Sequence, residues 1–248
     1  MAFKGIFHLV LAYLLLNTYP VFAAKVGLLV MATGKYISFV KPLITSADQY
    51  FCKNHEVTYF IFTDREFPES EKTIRIYQPR LGWPFDTTMR YHVYANSQDL
   101  LMTQDYLFAC DADMLFVDDV GDEILGERVA TLHPGFVNKR GSYETNPLSL
   151  AYVRNDEGEY YFAGGFYGGT SREFLKIAKT NAARIDDDLS RGIIAIWHDE
   201  SHWNRYCIDY KPTVILSPSY CYAEGYFNYP KKLLALDKNH EEMRKDPP

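Results

Sequence analysis

The chain has 248 residues, of which 47% are hydrophobic and 16% aromatic, and this composition fits one globular domain or at most two. Its formal net charge of −6 leaves no basic surface for phosphate contacts, so we expect no nucleic-acid partner. The four cysteines are scattered and form no Cys-x-x-Cys spacing, which argues against a disulfide framework and a zinc knuckle. The sequence leaves open whether Cys207 and Cys221 form a disulfide, and it gives no indication of an oligomeric state.

Residues 1–24 are predicted to be a separate unit. Lys4 precedes an apolar run over residues 6–16, and small residues follow at a cleavage-like position, a pattern typical of a signal peptide. The run is shorter than the span of about 20 residues that a bilayer needs, and an uncleaved membrane anchor is the alternative. We therefore expect an exported or membrane-associated protein, with membrane contact through residues 5–22, or a domain on the cytoplasmic face if the segment stays uncleaved. Residues 25–248 are predicted to form one α/β domain.

Strands and helices alternate in the N-terminal half of this domain. Strands are predicted at residues 26–32, 57–62 and 73–77, with a helix over residues 39–51 between the first two. A strand, a helix and a strand in this order predict parallel pairing with a right-handed crossover. No glycine-rich phosphate loop follows the first strand, so a bound phosphate would have to be held by a metal ion and side chains.

Two acids one residue apart follow a strongly strand-like stretch. Residues 106–110 are apolar or aromatic and predict a strand buried on both faces, after a predicted helix over residues 83–101 that carries Arg90. Asp111 and Asp113 come directly after this strand, at the end where open α/β sheets bind their ligands. Such a pair fits Mg²⁺ or Mn²⁺ alongside substrate phosphates, and the alternative is an acid pair that only caps a turn.

The C-terminal half carries further elements of both kinds. Strands are predicted at 129–132 and 214–216, a loop at 138–155, a helix from Thr170, a helix at 197–208 and a mobile tail at 231–248. Glu173 lies three residues after Thr170, a spacing typical of a capping box. Three consecutive aspartates at 186–188 are predicted to lie exposed on a surface turn. The stretch 160–169 mixes aromatic residues with four glycines, and we assign it no element.

Residues 197–202, Trp-His-Asp-Glu-Ser-His, form a second polar cluster. His198 and His202 lie four residues apart and would share one helical face, which is a spacing found in zinc proteases. The zinc-protease motif has a glutamate directly after its first histidine, however, where this chain has Asp199. The alternatives are a polar helix start and a cluster that faces a sugar. In the latter a carboxylate would stabilise positive charge at an anomeric carbon, with Trp197 for stacking and His198 for hydroxyl contacts.

Several stretches of the chain match one known family. They are residues 62–64, 111–113, 120–121, 123–125, 131–136, 166–169, 197–202, 211–213, 216–218 and 238–240. These stretches resemble glycosyltransferase family six, which includes the histo-blood-group A and B transferases and the α-1,3-galactosyltransferases, and the resemblance runs from about residue 26 to residue 244. Asp-x-Asp alone occurs in many transferases, whereas Trp-His-Asp-Glu-Ser-His together with Leu-His-Pro-Gly-Phe is specific. The resemblance implies a GT-A fold, a single Rossmann-like α/β domain with a mixed sheet that binds a nucleotide sugar.

The resemblance also implies roles for individual residues. Uridine would contact Met31, Ala32, Thr33 and Tyr36, and the rest of the donor would contact Arg90, Ala112, Ala163, Gly164, Gly165, Asp199, Lys238 and Arg244. Asp111 and Asp113 would hold Mn²⁺ or Mg²⁺ against the diphosphate. The acceptor would contact His133, Trp197, His198 and Glu200, and Glu200 matches the carboxylate proposed as the catalytic nucleophile.

These roles imply a retaining, metal-dependent hexosyltransferase that moves GalNAc or Gal from a UDP-sugar to a galactoside-type glycan in α-1,3 linkage. Residues 163–165 match those that select the donor sugar, and a glycine at Gly165 leaves room for an N-acetyl group, which favours UDP-GalNAc. Bacterial relatives that work without a metal often have Asn-x-Asn, so the two aspartates favour a metal requirement. Two alternatives remain: a sugar-binding protein of the same fold without turnover, and a zinc hydrolase that uses His198 and His202.

Overall fold

The computed structural model describes residues 23–225 and 229–245. Of the segment predicted to be a signal peptide or membrane anchor, residues 1–24, all but the last two residues lie outside the described part of the chain. Among the helices of the described residues, none has the length and apolarity that crossing a membrane requires.

Strands and helices alternate along most of the described chain. The strands are β1 (Lys25–Met31), β2 (Glu56–Thr63), β3 (Thr73–Tyr77), β4 (Tyr106–Asp111), β5 (Met114–Phe116), β6 (Arg128–Leu132), β7 (Phe162–Thr170), β8 (Val214–Leu216), β9 (Tyr222–Ala223) and β10 (Leu233–Ala235). The helices are α1 (Ile37–Tyr50), α2 (Phe85–Thr88), α3 (Arg90–Asn96), α4 (Gln98–Leu101), α5 (Ser171–Ser190), α6 (His198–Asp209) and α7 (His240–Arg244). The predicted loop at 138–155 contains neither a helix nor a strand, as expected.

A seven-stranded sheet organises the fold, with the strand order β3-β2-β1-β4-β7-β6-β8. β1 pairs in parallel with β2 and β4, and β2 pairs in parallel with β3, which confirms the predicted parallel pairing. β7 runs antiparallel to both β4 and β6, whereas β8 is parallel to β6. Three short strands form a second sheet in the order β5-β10-β9. The chain therefore has the predicted α/β fold with a mixed sheet.

The central strands are apolar at nearly every position because helices pack on both faces of the sheet. On one face, Leu28 and Val30 of β1 pack in a cluster with Leu43 of α1. On the other face, Leu29 of β1 belongs to a cluster with residues of α3, α5 and α6, including the fully buried Trp203. Side chains of a strand alternate between the two faces of the sheet. A strand in a sheet that is buried on both faces therefore needs an uninterrupted apolar run.

The strand β7 was not predicted, because four of its nine residues are glycine and glycine is rare in strands. The close pairing of β7 with β4 explains one of these glycines. A β-carbon on Gly168 would lie 2.3 Å from the carbonyl oxygen of Leu107 in β4. Only glycine fits at this position, and the sheet depends on it.

The single helix predicted over residues 83–101 is wrong, since three short helices, α2 to α4, occupy this stretch. The Thr88 hydroxyl donates to the carbonyl of Pro84, and the Ser97 hydroxyl donates to that of Val93. Hydroxyl bonds to a carbonyl four residues earlier bend a helix, and both lie where one short helix ends. The break places Arg90 at the start of α3.

Two predictions for α5 are also wrong. The Thr170 side chain makes no capping bond, and Glu173 instead accepts hydrogen bonds from Arg128 Nε and the Tyr206 hydroxyl, each at 2.8 Å. The three aspartates at 186–188 lie within the helix and not on a turn; Asp186 and Asp187 are exposed as predicted, but Asp188 is only 1% exposed. The Asp188 carboxylate accepts hydrogen bonds from the Ser149 hydroxyl, a neighbouring backbone amide and Arg191 Nη2, so it is satisfied without solvent.

The predicted mobile tail contains regular structure. β10 pairs with β5 and β9, and α7 follows it. The backbone amide of Leu236 donates to the carbonyl of Asp113 at 2.9 Å, which ties the tail to the turn after β4. All four cysteines are free, so Cys207 and Cys221 form no disulfide in this structure.

Candidate active site

The acid pair lies at the carboxyl edge of the sheet, as the strand pattern predicts. Asp111 is the last residue of β4 and pairs in register with Met31, the last residue of β1. Ala112 and Asp113 form the turn between β4 and β5. One cavity opens at this edge, and we call it the diphosphate cavity. The predicted residues that line it are Met31, Thr33, Tyr36, Arg90, Asp111, Ala112, Asp113, Lys238 and Arg244.

Arg90 connects the acid pair to the second polar cluster. Its guanidinium lies 3.0 Å from Asp111 Oδ1 and 3.0 Å from Asp199 Oδ2, and the side chain is almost fully buried. Burial acts to lower the pKa of Arg90, but Asp199 and Asp111 raise it well above its ordinary value. Arg90 is therefore a permanent cation between two carboxylates from different parts of the chain.

Asp113 is paired with a different cation, Lys238. The Lys238 ammonium contacts Asp113 Oδ2 directly, and it also lies 5.6 Å from the centre of the Tyr36 ring. Burial and the nearby Asp111 raise the pKa of Asp113, and Lys238 opposes this rise. The neighbouring carboxylates of Asp111 and Asp113 repel each other. The cations Arg90 and Lys238 offset this repulsion.

Glu200, the third residue of α6, differs because it has no cationic partner among the contacts of the described residues. Its Oε1 accepts a hydrogen bond from the Tyr161 hydroxyl at 2.7 Å, and its Oε2 accepts one from the backbone amide of Gly164 at 2.7 Å. Burial raises the pKa of Glu200 to about 7, although both hydrogen bonds act to lower it. The neighbouring Asp199 faces Arg90, and burial raises the pKa of Asp199 to about 6.

A second cavity adjoins the first, and we call it the sugar cavity. It is lined by Thr87, Arg90, Asp111, Gly164, Gly165, Trp197, Asp199 and Glu200. Thr87, Arg90 and Asp111 line both cavities, which makes the two spaces one continuous site. The first cavity adds the cations Arg80, Lys238 and Arg244, whereas the second adds the carboxylates of Asp199 and Glu200, so the cations that suit an anionic group lie mainly on one side of the site.

The C-terminal helix α7 closes one side of the diphosphate cavity. The Arg244 guanidinium lies 3.7 Å from the centre of the Trp83 ring, a cation–π distance. Arg80 Nη2 donates to the carbonyl of Arg244 at 2.8 Å, and Lys35 Nζ donates to the carbonyl of Glu242 at 3.2 Å. The tail therefore brings Lys238 and Arg244 to the acid pair.

The sequence matches the model of glycosyltransferase family 6 over residues 2–245. The chain belongs to this family. It is 38% identical over 240 residues to the histo-blood group ABO system transferase 1 of Rattus norvegicus, a match that covers 88% of this chain and 68% of the relative. It is 33% identical over 242 residues to the globoside alpha-1,3-N-acetylgalactosaminyltransferase 1 of Gallus gallus, covering 88% of this chain and 69% of the relative. The protein is thus a hexosyltransferase, of a family that takes a nucleotide-sugar donor and a glycan acceptor.

Most of the residues expected from the family resemblance meet in the joined cavities, but Ala32, Ala163, His133 and His198 do not. Ala32 is fully buried, and its backbone bonds to Phe62 and to the Thr63 hydroxyl beneath the cavity. Ala163 is 2% exposed and does not line the sugar cavity, whereas the next two residues do. His133 packs its ring against Tyr161, at 5.7 Å between ring centres, and lines a separate depression.

The adjacent residues Trp197 and His198 differ in position, since Trp197 lines the sugar cavity and His198 does not. Trp197 is 47% exposed and lines this cavity, and its indole nitrogen donates to the Ser142 hydroxyl at 2.7 Å. His198 begins α6 with a φ of 51°, a left-handed conformation that is unfavourable for histidine. Its ring contacts that of Trp83 at 4.6 Å between ring centres.

The zinc-hydrolase alternative finds no support in the described part of the chain. His202 is buried, and burial lowers its pKa to about 3. Across residues 23–225 and 229–245, no group of three His, Cys, Asp or Glu side chains is arranged to hold a metal ion. A zinc site needs three or four such ligands, so the spacing of His198 and His202 is only helical periodicity.

Several residues of the site were missed by the sequence analysis. They are Arg80, Trp83, Asp86, Thr87, His240 and Met243 in the diphosphate cavity, and Tyr161 beside Glu200. Tyr161 lies in a stretch so rich in aromatic residues that its pattern equally fits core packing, and only the fold reveals its hydrogen bond. Trp83 next to a proline carries no pattern that distinguishes it from an ordinary loop residue.

Proposed function

We propose that this family 6 transferase moves N-acetylgalactosamine, or galactose, from a UDP-sugar to a galactoside-type glycan in α-1,3 linkage, with retention at the anomeric carbon. The observation that carries the proposal is the pairing of two unlike halves in one continuous site. One half has two aspartates with two cations, and the other has a partly buried glutamate without a cation. The chicken relative is named as an alpha-1,3-N-acetylgalactosaminyltransferase, which agrees with this choice.

The diphosphate half would stabilise the leaving nucleotide. Breaking the bond between the sugar and UDP leaves negative charge on the diphosphate, and fixed cations lower the cost of that charge. Arg90 lies in the wall between the two cavities, and Lys238 and Arg244 reach the diphosphate cavity from the tail. Lys238 would turn from Asp113 to the diphosphate when the donor binds.

The acid pair fits a divalent metal ion. Asp111 and Asp113 offer carboxylate oxygens at one edge of the sheet, and Mg²⁺ or Mn²⁺ is usually held by one or two carboxylates plus substrate phosphates. Burial and the nearby Asp111 raise the pKa of Asp113 in spite of Lys238, and a bound cation would favour its ionised form. A bound ion would neutralise the diphosphate as a Lewis acid.

The sugar half would stabilise positive charge at the anomeric carbon. Glu200 must be ionised for this role, and the Tyr161 hydroxyl and the Gly164 amide hold its two oxygens in a fixed direction. Retention requires either a covalent bond to Glu200 or attack by the acceptor hydroxyl from the face that the nucleotide leaves, and both routes use this carboxylate. Asp199 would contact the donor sugar, and Trp197 would stack on the acceptor.

UDP release tests the proposal directly. The protein is incubated with UDP-GalNAc or UDP-Gal and a panel of immobilised glycans, and both UDP and labelled product are measured. We expect transfer to galactoside-type glycans, faster with UDP-GalNAc because Gly165 carries no side chain in the sugar cavity. Donor binding without UDP release would instead support a sugar-binding protein without turnover.

The metal requirement needs its own experiment. Transfer is measured with and without EDTA and for Asp113→Asn, and we expect both treatments to reduce the rate by about 10²-fold or more, as when an electrostatic contact to a leaving group is lost. Added Mn²⁺ should restore the EDTA-treated enzyme but not the variant. Undiminished turnover under both conditions would overturn the metal requirement and leave the transferase proposal intact.

A further inference from the structure

Gly164 and Gly165 form one wall of the sugar cavity, next to Asp111 and Glu200. Under the proposed function, the donor diphosphate lies at Asp111 and the anomeric carbon lies at Glu200. Both carboxylates line the same small cavity, so the sugar ring between them must lie across the two glycines. Whatever stands behind these glycines therefore limits the size of the ring substituents that fit.

The two glycines face different neighbours. A β-carbon on Gly164 would lie 3.4 Å from Cβ and Oε2 of Glu200, which is close to an ordinary contact. A β-carbon on Gly165 would lie 3.0 Å from Sγ of Cys221 and 3.5 Å from Oδ2 of Asp111. Carbon and sulfur atoms do not pack this closely without movement of one of them. The Cys221 thiol therefore lies within 3.0 Å of the position that the first side-chain atom of residue 165 would take.

Cys221 is held in place by its surroundings. It follows the turn Pro218–Tyr220, its backbone amide donates to the Pro218 carbonyl at 3.1 Å, and its side chain packs against the main core. Burial, followed by the nearby Asp111 and Glu200, raises the pKa of the thiol far above its ordinary value. The thiol is therefore neutral at physiological pH, and it acts by volume rather than by charge or nucleophilicity.

We propose that Cys221 is a specificity-determining residue, which together with Gly165 sets the space for the C2 substituent of the donor sugar. The inference rests on the proposed function. Galactose carries a hydroxyl at C2 and N-acetylgalactosamine carries the larger acetamido group, so the volume at this wall discriminates between them. It follows that Gly165→Ala alone does not isolate the donor pocket, because the new methyl group meets the thiol as well as the sugar.

A double-mutant cycle tests the contact and its effect on the donor. Wild type, Gly165→Ala, Cys221→Ala and the double variant are compared by melting temperature and by the ratio of affinities for UDP-GalNAc and UDP-Gal. We expect Gly165→Ala to lower the melting temperature clearly in the presence of Cys221 and by less than half as much in its absence. We expect Cys221→Ala to shift the donor ratio by about tenfold toward UDP-GalNAc, the discrimination that one methylene-sized volume supplies.

Cys207→Ala is the matched control, since Cys207 is another free thiol and belongs to the core cluster that contains Trp203, whereas Cys221 packs against the cluster on the other face of the sheet. It should leave the donor ratio unchanged. Additive melting temperatures together with an unchanged donor ratio in Cys221→Ala would overturn the inference while leaving the proposed function standing. A wild-type protein that binds neither UDP-sugar would overturn the proposed function, and the inference with it.

Discussion

The two halves of the site differ at one carboxylate, because Asp111, Asp113 and Asp199 each contact a cation and Glu200 of the sugar half contacts none among the described residues. In the diphosphate half, Asp111 and Asp113 each contact a cation, Arg90 or Lys238. In the sugar half, Glu200 receives only neutral donors, a hydroxyl and a backbone amide. A half with matched charges suits a charged leaving group, whereas a carboxylate without a cation is available for positive charge that develops during the reaction.

The largest effect is expected where the two halves meet. Arg90→Met leaves Asp111 and Asp199 without their shared cation, and removing one partner of a buried ion pair costs about 3–5 kcal/mol of unfolding free energy. Urea titration measures this loss, and UDP release should fall below detection. Arg154→Met is the control, because the exposed pair of Arg154 with Asp156 contributes within about 1 kcal/mol. Equal losses in both variants would show that Arg90 does not stabilise the buried Asp199 carboxylate.

Glu200→Gln separates catalysis from stability. Transfer should fall on the order of 10²–10³-fold, as for the loss of one electrostatic contact in the transition state.

The folded pKa of Glu200 is about 7 and the ordinary value is 4.5, so the folded protein holds a proton that the unfolded chain releases between these pH values. The stability of wild type therefore falls as pH rises through this window, and the variant should be more stable at pH 8, by on the order of 1–3 kcal/mol.

The stability gain of Glu200→Gln should vanish once the pH lies well below the ordinary value of 4.5, where Glu200 is protonated in both the folded and the unfolded state. Glu123→Gln is the opposite control. Burial acts to raise the pKa of Glu123, but backbone hydrogen bonds and the Tyr220 hydroxyl lower it overall, so this variant should lose stability at neutral pH. A gain for Glu200→Gln that does not change with pH would contradict the role of its proton.

Tyr161→Phe tests how much one of the two neutral donors to Glu200 contributes to its pKa. Without the Tyr161 hydroxyl the ionised form of Glu200 loses a donor, so its pKa rises and the acid limb of kcat should move up by about one pH unit. Tyr143→Phe is the matched control, because the Tyr143 ring packs 5.1 Å from that of Tyr161 and its hydroxyl donates only to the carbonyl of Tyr160 among the described residues. Parallel pH profiles for both variants would reduce Tyr161 to a packing residue.

Lys238→Met gives the smallest expected effect and probes the diphosphate half. The Lys238 ammonium is ion-paired with Asp113 and would compete there with a metal ion. Its removal should therefore strengthen the binding of Mn²⁺ in the absence of donor roughly tenfold, which corresponds to about 1.4 kcal/mol. Isothermal titration calorimetry with Mn²⁺ alone measures this change. Lys232→Met, in the same tail but paired with Glu123, should leave Mn²⁺ affinity unchanged. Weaker Mn²⁺ binding in Lys238→Met would mean that the lysine assists the ion instead of competing with it.

The sequence predicts the parts of this molecule that are determined locally. The apolar run of β4 ends in Asp111, and a strand buried on both faces leaves few other interpretations. The acid pair at the sheet edge follows from the same run. By contrast, β7 depends on close contact with the Leu107 carbonyl, and a run of glycines that allows this contact resembles a loop when it is viewed alone.

Long-range partners account for the other errors. Asp188 appeared exposed because it belongs to a run of aspartates, but its donor Ser149 comes from a loop about 40 residues away in sequence. Tyr161 carries no local sign of its bond to Glu200, which lies on a different element. Local patterns predict which segments are buried, whereas the fold alone determines which side chain meets a buried polar group.

The position of β7 between β4 and β6 has a consequence for synthesis on the ribosome. The block β3-β2-β1-β4 is complete once residue 111 has emerged, but its inner edge stays unpaired until residues 162–170 follow. At translation rates of about 5–20 residues per second, this edge is bare for several seconds. A bare, apolar strand edge is a template for pairing with other chains, so nascent chains of this protein should depend on chaperones most while residues 112–170 are being synthesised.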